Sequence, residues 1–146
     1  MPSPYVSNYG ITTVTASTTL TAAAHAGQTI VVNKASGATI TLPAATGSGN
    51  RYTITTIADQ SGNLVIAVPD AANTMQGVAY LGNDSAGASC FYTADTTDTV
   101  TLDGSTKGGY KGARVELIDV AANVWNVFVV SEASGTEATP FSADVS

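Results

Sequence analysis

The stretch from Gln28 to Ile57 constrains the fold of this chain more than any other part of the sequence. It contains three runs rich in Thr, Ile and Val, at 29–32, 38–42 and 52–57, and such residues favour β-strands. Pro43 cannot donate a backbone hydrogen bond to a neighbouring strand, so we expect it to end the second run. The segment Pro43–Asn50 that follows is small and uncharged, and Gly47 and Gly49 allow positive φ there. The stretch therefore predicts two strands, a protruding and flexible loop, and a return strand.

Short β-type runs separated by turn residues continue along the rest of the chain, about nine or ten in all. This pattern predicts an all-β fold, which we interpret as a single-domain β-sandwich or small barrel with extended terminal arms. The expected division is an N-terminal arm at 1–10, a β-domain at 11–130 and a C-terminal arm at 131–146. No sequence period of about 20–50 residues repeats, so a solenoid is not expected.

Two β-hairpins are predicted. The stronger one joins the runs 114–120 and 124–130, and apolar side chains on both faces of its second run predict a strand that is central in its sheet or covered on both faces. In its first run Ile118 interrupts the alternation of charged and apolar residues, and a β-bulge nearby would restore that alternation. The other hairpin joins the runs 52–57 and 64–68 across a turn that contains glycine.

The chain is poor in charge. Charged residues make up 11% of it and its net charge is −6, whereas about 25% is usual for globular proteins. The five Lys and Arg residues are scattered, which argues against nucleic acid as a partner because phosphate binding needs clustered basic residues. No apolar run is long enough to span a membrane, no secretory signal peptide is visible, and a single cysteine excludes an intrachain disulfide.

The sequence offers little for catalysis. His25 is the only histidine, and we expect it to close the turn at 21–27, the one segment with helical propensity. Cys90 lies in a run of aromatic residues and is interpreted as a small core residue. Asp95, Asp98 and Asp103 lack the spacing of a calcium-binding loop. No catalytic motif or pair of carboxylates is recognisable, so neither enzymatic activity nor a cofactor is predicted.

The larger aromatic residues are expected to pack in the core, because they alternate with aliphatic residues; exposed on a strand they would instead bind sugars or peptides. These residues are Tyr80, Phe91, Tyr92, Tyr110 and Trp125. In the terminal arms, Tyr5, Tyr9 and Phe141 are the candidate anchors for contacts with other chains.

Several segments resemble the capsid decoration, or cement, proteins of tailed bacteriophages and related head-fibre and tail-fibre modules. The similarity extends from about Leu20 to Phe141 and rests on the spacing of Ala, Thr and Gly with a few fixed points. Those points are the segments 20–30, 37–49, Met75-Gln76-Gly77, Lys111-Gly112 ahead of the run 115–120, and 135–141.

This resemblance implies a non-enzymatic protein of the virion that binds the outer surface of the capsid as a homotrimer at or near three-fold positions. Its partners would be further copies of itself and the major capsid protein. The alternative is a head- or tail-fibre module that binds a host receptor or glycan. The candidate interface residues are Tyr5, Tyr9, Pro43, Thr46, Ser48 and Phe141.

Overall fold

Alternation of buried and exposed residues along short strands shapes this chain into a β-sandwich. The computed structural model describes residues 10–146. Within them one helical turn, α1 (Ala22–His25), accompanies twelve strands. The strands are β1 (Ile11–Val14), β2 (Thr18–Thr19), β3 (Thr29–Val32), β4 (Ala38–Thr41), β5 (Arg51–Thr56), β6 (Leu64–Ala67), β7 (Thr74–Gly82), β8 (Ala88–Tyr92), β9 (Thr99–Leu102), β10 (Arg114–Ala121), β11 (Val124–Glu132) and β12 (Phe141–Ser142).

The strands form two mixed sheets. The seven-stranded sheet has the order β1-β3-β5-β10-β11-β7-β8, and the five-stranded sheet has the order β12-β9-β6-β4-β2. The predicted all-β sandwich is therefore confirmed. The strand count exceeds the expected nine or ten partly because β2 and β12, of two residues each, are too short to stand out in the sequence.

The first six strands form a short parallel coil. They alternate between the two sheets, and within each sheet they run parallel. Ile11 pairs with Thr29, 18 residues later, and Thr29 pairs with Thr53, 24 residues later. Because the turns of the coil differ in length, they leave no sequence period, which is why a coiled arrangement was not expected. The predicted hairpin between the runs 52–57 and 64–68 is wrong, since β5 and β6 belong to different sheets.

The core lies between the two sheets. Inward-facing aliphatic residues from both sheets form one cluster, and Trp125 from β11 and Tyr52 from β5 are its largest members. Their rings meet edge to face with centroids 5.6 Å apart, a favoured geometry for aromatic pairs. This single cluster holds the two sheets together.

The predicted hairpin of β10 and β11 is present, with a register shift between Asp119 and Ala121 that matches the expected bulge. Strand β11 is central, between β10 and β7. No other described segment fully covers its outward side, since Phe128 is half-buried and Val130 is 42% exposed. In the described part of the chain, the apolar residues on the outward side of β11 therefore form part of the protein surface.

The C-terminal segment is part of the β-domain. Strand β11 continues to Glu132, and β12 pairs with β9 through Phe141 and Val100. The carboxylate of Asp98 accepts hydrogen bonds from the backbone N–H groups of Asp144 and Val145. The expectation of an extended arm at 131–146 is thus corrected. Of the predicted N-terminal arm at 1–10, residues 1–9 lie outside the described residues.

Candidate interaction surfaces

The loop at 43–50, between β4 and β5, is fixed to the turn that joins β10 and β11. The backbone N–H of Ala45 donates to Asn73 Oδ1 at 2.9 Å, and the Ala45 carbonyl accepts from the Asn123 N–H at 2.9 Å. Thr46 forms an antiparallel bridge with Ala122. Gly47 and Gly49 adopt φ of 80° and 76°, as expected for glycines in a loop. The backbone of the loop is consequently held in one shape at its base.

Asp119 is the centre of this arrangement. Its Oδ1 accepts the backbone N–H groups of Thr46 at 2.9 Å and Gly47 at 2.7 Å. Its Oδ2 accepts the hydroxyls of Ser48 at 2.6 Å and Thr46 at 3.2 Å. The backbone of Asp119 adds two more hydrogen bonds to the loop, with Gly49 and Asn50. One side chain from β10 therefore organises most of the loop.

The environment of Asp119 also changes its acidity. Burial by itself would raise the pKa of its carboxyl, since the side chain is almost inaccessible to water. The hydrogen bonds from Ser48, Gly47 and Thr46 together outweigh burial, and they lower the pKa below its ordinary value. The loop therefore encloses a carboxylate that stays ionised at neutral pH.

The surface of the 43–50 loop is small and uncharged. Ala44, Thr46 and Ser48 are exposed, whereas Pro43 is half-buried. Three of the six predicted interface residues, Pro43, Thr46 and Ser48, thus lie together in one loop.

Among the described residues, the remaining predicted interface residue, Phe141, does not lie in that loop. Phe141 is only 8% exposed and belongs to the core, because its β12 backbone is drawn onto β9. As a packed side chain of its own domain it offers little surface to another chain, which corrects its role as an exposed anchor. Tyr5 and Tyr9 lie outside the described residues.

The role of Asp119 was not found from the sequence. In β10 the inward positions are Val115, Leu117 and Asp119, so a carboxylate takes the third place in a buried alternating series. That position was a usable signal, because a buried carboxylate needs hydrogen-bond donors. The small residues at 46–48 supply those donors.

Other aspartates also fix loops through backbone N–H groups. Asp59 accepts from Lys111, Asp70 from Ala72, Asp84 from Gly135, Asp98 from Asp144, and Asp103 from Ser105 and Lys107. Among residues 10–146 no group of three or more His, Cys, Asp or Glu side chains is placed to hold a metal ion. Much of the acidic character of the chain therefore serves its own loops.

Two sequence interpretations have clear outcomes. The backbone N–H of Thr21 donates to His25 Nδ1 at 3.0 Å, which confirms that His25 closes the turn around α1. Cys90 is exposed, so its interpretation as a core residue is wrong. Strand β8 lies at the edge of its sheet, and Cys90 faces outward across from Tyr80.

The outward face of the seven-stranded sheet changes character from one side to the other. Near β3 and β5 it carries threonines, and with Gly112, Arg114 and Val130 these line an open depression of about 360 Å³. Toward β11, β7 and β8 it carries neighbouring apolar and aromatic side chains. We call this second region the aromatic patch; it consists of Val78, Tyr80, Cys90, Tyr92, Phe128 and Val130.

Within the aromatic patch Tyr80 contacts Phe128 and Cys90, and both tyrosines are open to water. The rings of Tyr80 and Phe128 lie 5.8 Å apart, and the Cys90 thiol beside the Tyr80 hydroxyl raises the pKa of Tyr80. Tyr92 is 75% exposed and Tyr80 is 43% exposed. The expected core position is correct for Trp125 and wrong for these two tyrosines, because alternation along β7 and β8 turns them outward.

Comparisons with models of protein families, with curated proteins and with solved structures found no match for this chain. No helix within residues 10–146 is both long and apolar enough to cross a membrane.

Proposed function

We propose that this chain is a non-enzymatic structural protein of a tailed-bacteriophage virion, which binds the outer surface of the capsid through its 43–50 loop. The resemblance described above supplies the biological setting, including assembly as a homotrimer near three-fold positions with the major capsid protein as partner. The observation that carries the proposal is the 43–50 loop, an exposed and uncharged surface whose backbone is fixed by Asp119.

A fixed loop is well suited to binding. Association costs free energy when mobile segments become ordered, and a loop that is already held in its bound shape avoids most of that cost. Small uncharged residues such as Ala44 and Thr46 also lose little hydration when they are covered. Three copies in a trimer would add their contacts, so weak individual contacts would give tight binding to an assembled shell. Because such a protein binds only the assembled shell, it would stabilise the shell against disassembly.

The test is binding to phage heads that lack the protein, measured by co-sedimentation. Wild-type protein should sediment with the heads, and Ala44→Glu should weaken binding because it places a charge on the exposed loop. Ala35→Glu is the matched control. Ala35 is exposed in the turn after β3, and because β3 and β5 are parallel, that turn lies at the opposite end of the sheet from the loop that precedes β5.

Ala44 is a better test position than Ser48. The Ser48 hydroxyl donates to Asp119, so Ser48→Glu would place two carboxylates together and disturb the loop itself. Equal binding of wild type and Ala44→Glu would remove the loop from the interface. Absence of wild-type binding to any such head would reject capsid decoration altogether.

The aromatic patch favours a second candidate, a fibre module that binds a host glycan. Exposed tyrosine rings on a sheet, here Tyr80 and Tyr92, are suited to packing against the flat faces of sugar rings. This candidate predicts saturable glycan binding that Tyr92→Ala reduces, whereas Ala44→Glu leaves it unchanged. A glycan array without a hit, together with binding to heads, would eliminate it.

A further inference from the structure

We propose that the free edge of β8 pairs with β8 of a second copy of this chain, so that two seven-stranded sheets join into one continuous sheet. This contact is separate from the proposed capsid contact, because it uses a sheet edge rather than the 43–50 loop. It would link two free copies, or two copies that belong to neighbouring trimers.

The backbone of β8 is suited to such pairing. In the antiparallel ladder with β7, the Thr93 N–H donates to the Gly77 carbonyl and the Asn83 N–H donates to the Gly87 carbonyl. Because hydrogen-bonded pairs alternate along an antiparallel ladder, Phe91 and Ser89 point their backbone groups toward β7. Those of Ala88, Cys90 and Tyr92 point away from the sheet, and within residues 10–146 no backbone partner meets them.

These free groups define one preferred register. A two-fold axis at Cys90 pairs Ala88 of each copy with Tyr92 of the other, and pairs Cys90 with Cys90. This is the register in which all three outward-pointing residues of both copies are hydrogen-bonded. The side chains of these residues share the outward face of the sheet, so the two aromatic patches would also become neighbours.

The β8 edge lacks the features that normally prevent such pairing. Natural edge strands are protected by charges, proline, bulges or very short length, and β2 and β12 are protected by their two-residue length. Strand β8 has five uncharged residues without proline. The carboxylate of Glu137 accepts a hydrogen bond from Ser89 Oγ at 3.4 Å. Because Ser89 points to the opposite face of the sheet from Cys90, this charge does not lie on the face that carries the aromatic patch.

The self-complementarity of the edge points to a second copy as the occupant, because its three outward-pointing residues pair with the same three residues of another β8. The net charge of −6 on each copy opposes association, but the aromatic patch contains no charged residue, so the contact itself brings no like charges together. Tyr92 exposes 75% of its surface and Tyr80 43%. With the strand itself, pairing would bury on the order of 400 Å² per copy, which is typical of weak, concentration-dependent contacts.

The test is the mean molar mass of the full chain, measured by light scattering from micromolar to millimolar concentration. The mass should at least double relative to its value at the lowest concentration: it stops at twice that value if the chain is a monomer there, and rises further if it is a trimer with three β8 edges. Cys90→Lys places two ammonium groups on the two-fold axis and should weaken association about tenfold or more. Gln76→Lys is the matched control, because Gln76 is exposed on the same face of β7 but beyond the end of β8.

A short bis-maleimide crosslinker reports the register. It should join two wild-type chains through Cys90, and it should join them poorly in the double variant Cys90→Ser with Gln76→Cys. A mass that stays constant over the whole range would overturn the proposal, and so would equal association of Cys90→Lys and wild type. Residues 1–9 of the same chain are the competing occupant, and they would give that constant mass. Matching far-UV circular dichroism would establish that each variant is folded.

Discussion

Replacement of Asp119 tests the claim that one carboxylate shapes the 43–50 loop. Asp119→Ala removes the acceptor of two backbone N–H groups and two hydroxyls. Asp119→Asn keeps the shape of the side chain and one acceptor oxygen but removes the charge. Both variants should leave the sandwich folded, because the core cluster does not include this side chain.

The size of the effect follows from the hydrogen bonds. Hydrogen bonds to charged groups contribute about 1.5–3 kcal/mol each. The loop side of the site is exposed, at Thr46 and Ser48 for example, so water will replace part of what is lost. We therefore expect the free energy of unfolding to fall by about 2–4 kcal/mol in Asp119→Ala and by about 1–2 kcal/mol in Asp119→Asn.

The pH dependence has a defined sign. The hydrogen bonds to Asp119 lower the pKa of its carboxyl in the folded protein, whereas the unfolded value is about 3.9. Stability from the ionised group is therefore complete above the unfolded pKa and is lost as pH falls through the folded pKa. The difference between wild type and Asp119→Asn should be constant near neutral pH and should shrink below about pH 4.

Urea unfolding followed by tryptophan fluorescence provides the measurement, because Trp125 is the only tryptophan and is fully buried. Asp95→Asn is the control for charge, since Asp95 is exposed, and it should change the free energy of unfolding by less than about 0.5 kcal/mol. Equal midpoints for wild type and Asp119→Asn would refute the argument. A difference that is the same at pH 7 and pH 3 would refute its electrostatic part.

Four further substitutions test the packing and loop contacts. Gly77→Ala would place its Cβ in collision with the Val127 carbonyl oxygen, so it should lower the free energy of unfolding by about 3 kcal/mol or more and lower the urea midpoint. Gly49→Ala is the comparison, because its Cβ would meet open space and only the φ of 76° is unfavourable; it should lower the free energy of unfolding by about 1 kcal/mol. Phe141→Ala should cost about 2–4 kcal/mol, and limited proteolysis should then cut the C-terminal segment faster than in wild type. Burial would raise the pKa of Asp103, but hydrogen bonds from N–H groups of its own loop lower it. Wild type should therefore be more stable than Asp103→Asn above about pH 4, and this difference in the free energy of unfolding should disappear as the pH falls below that value.

The sequence predicted what depends on neighbouring residues. The alternation of 114–120 and 124–130 identified the β10–β11 hairpin and its bulge, and the glycines of the 43–50 loop identified positive φ. His25 was assigned to its turn for the same reason, because its partner Thr21 lies four residues away. Local propensity and turn chemistry were sufficient in these cases.

The sequence did not predict what depends on distant pairing. Strand β7 pairs in parallel with β11 although about 50 residues separate them, as in the pair Gln76 and Asn126. Nothing local in either strand indicates that partner. The outward position of Tyr80 and Tyr92 depends on this pairing, since it decides which face of β7 and β8 meets the core. The sequence therefore identified the 43–50 surface, which lies within a single loop. It did not identify the aromatic patch, whose residues come from β7, β8 and β11.

The position of β11 has a consequence for how this protein is made. Strand β11 is central to its sheet although ten of the other eleven described strands are synthesised before it. Strands β5 and β10 on one side and β7 and β8 on the other join through it, and Trp125 from β11 fills the core. The growing chain on the ribosome therefore has two partial sheets with exposed apolar faces until residue 132 has left the exit tunnel. We infer that this domain completes its folding only once residue 132 has emerged, when β11 enters between β10 and β7.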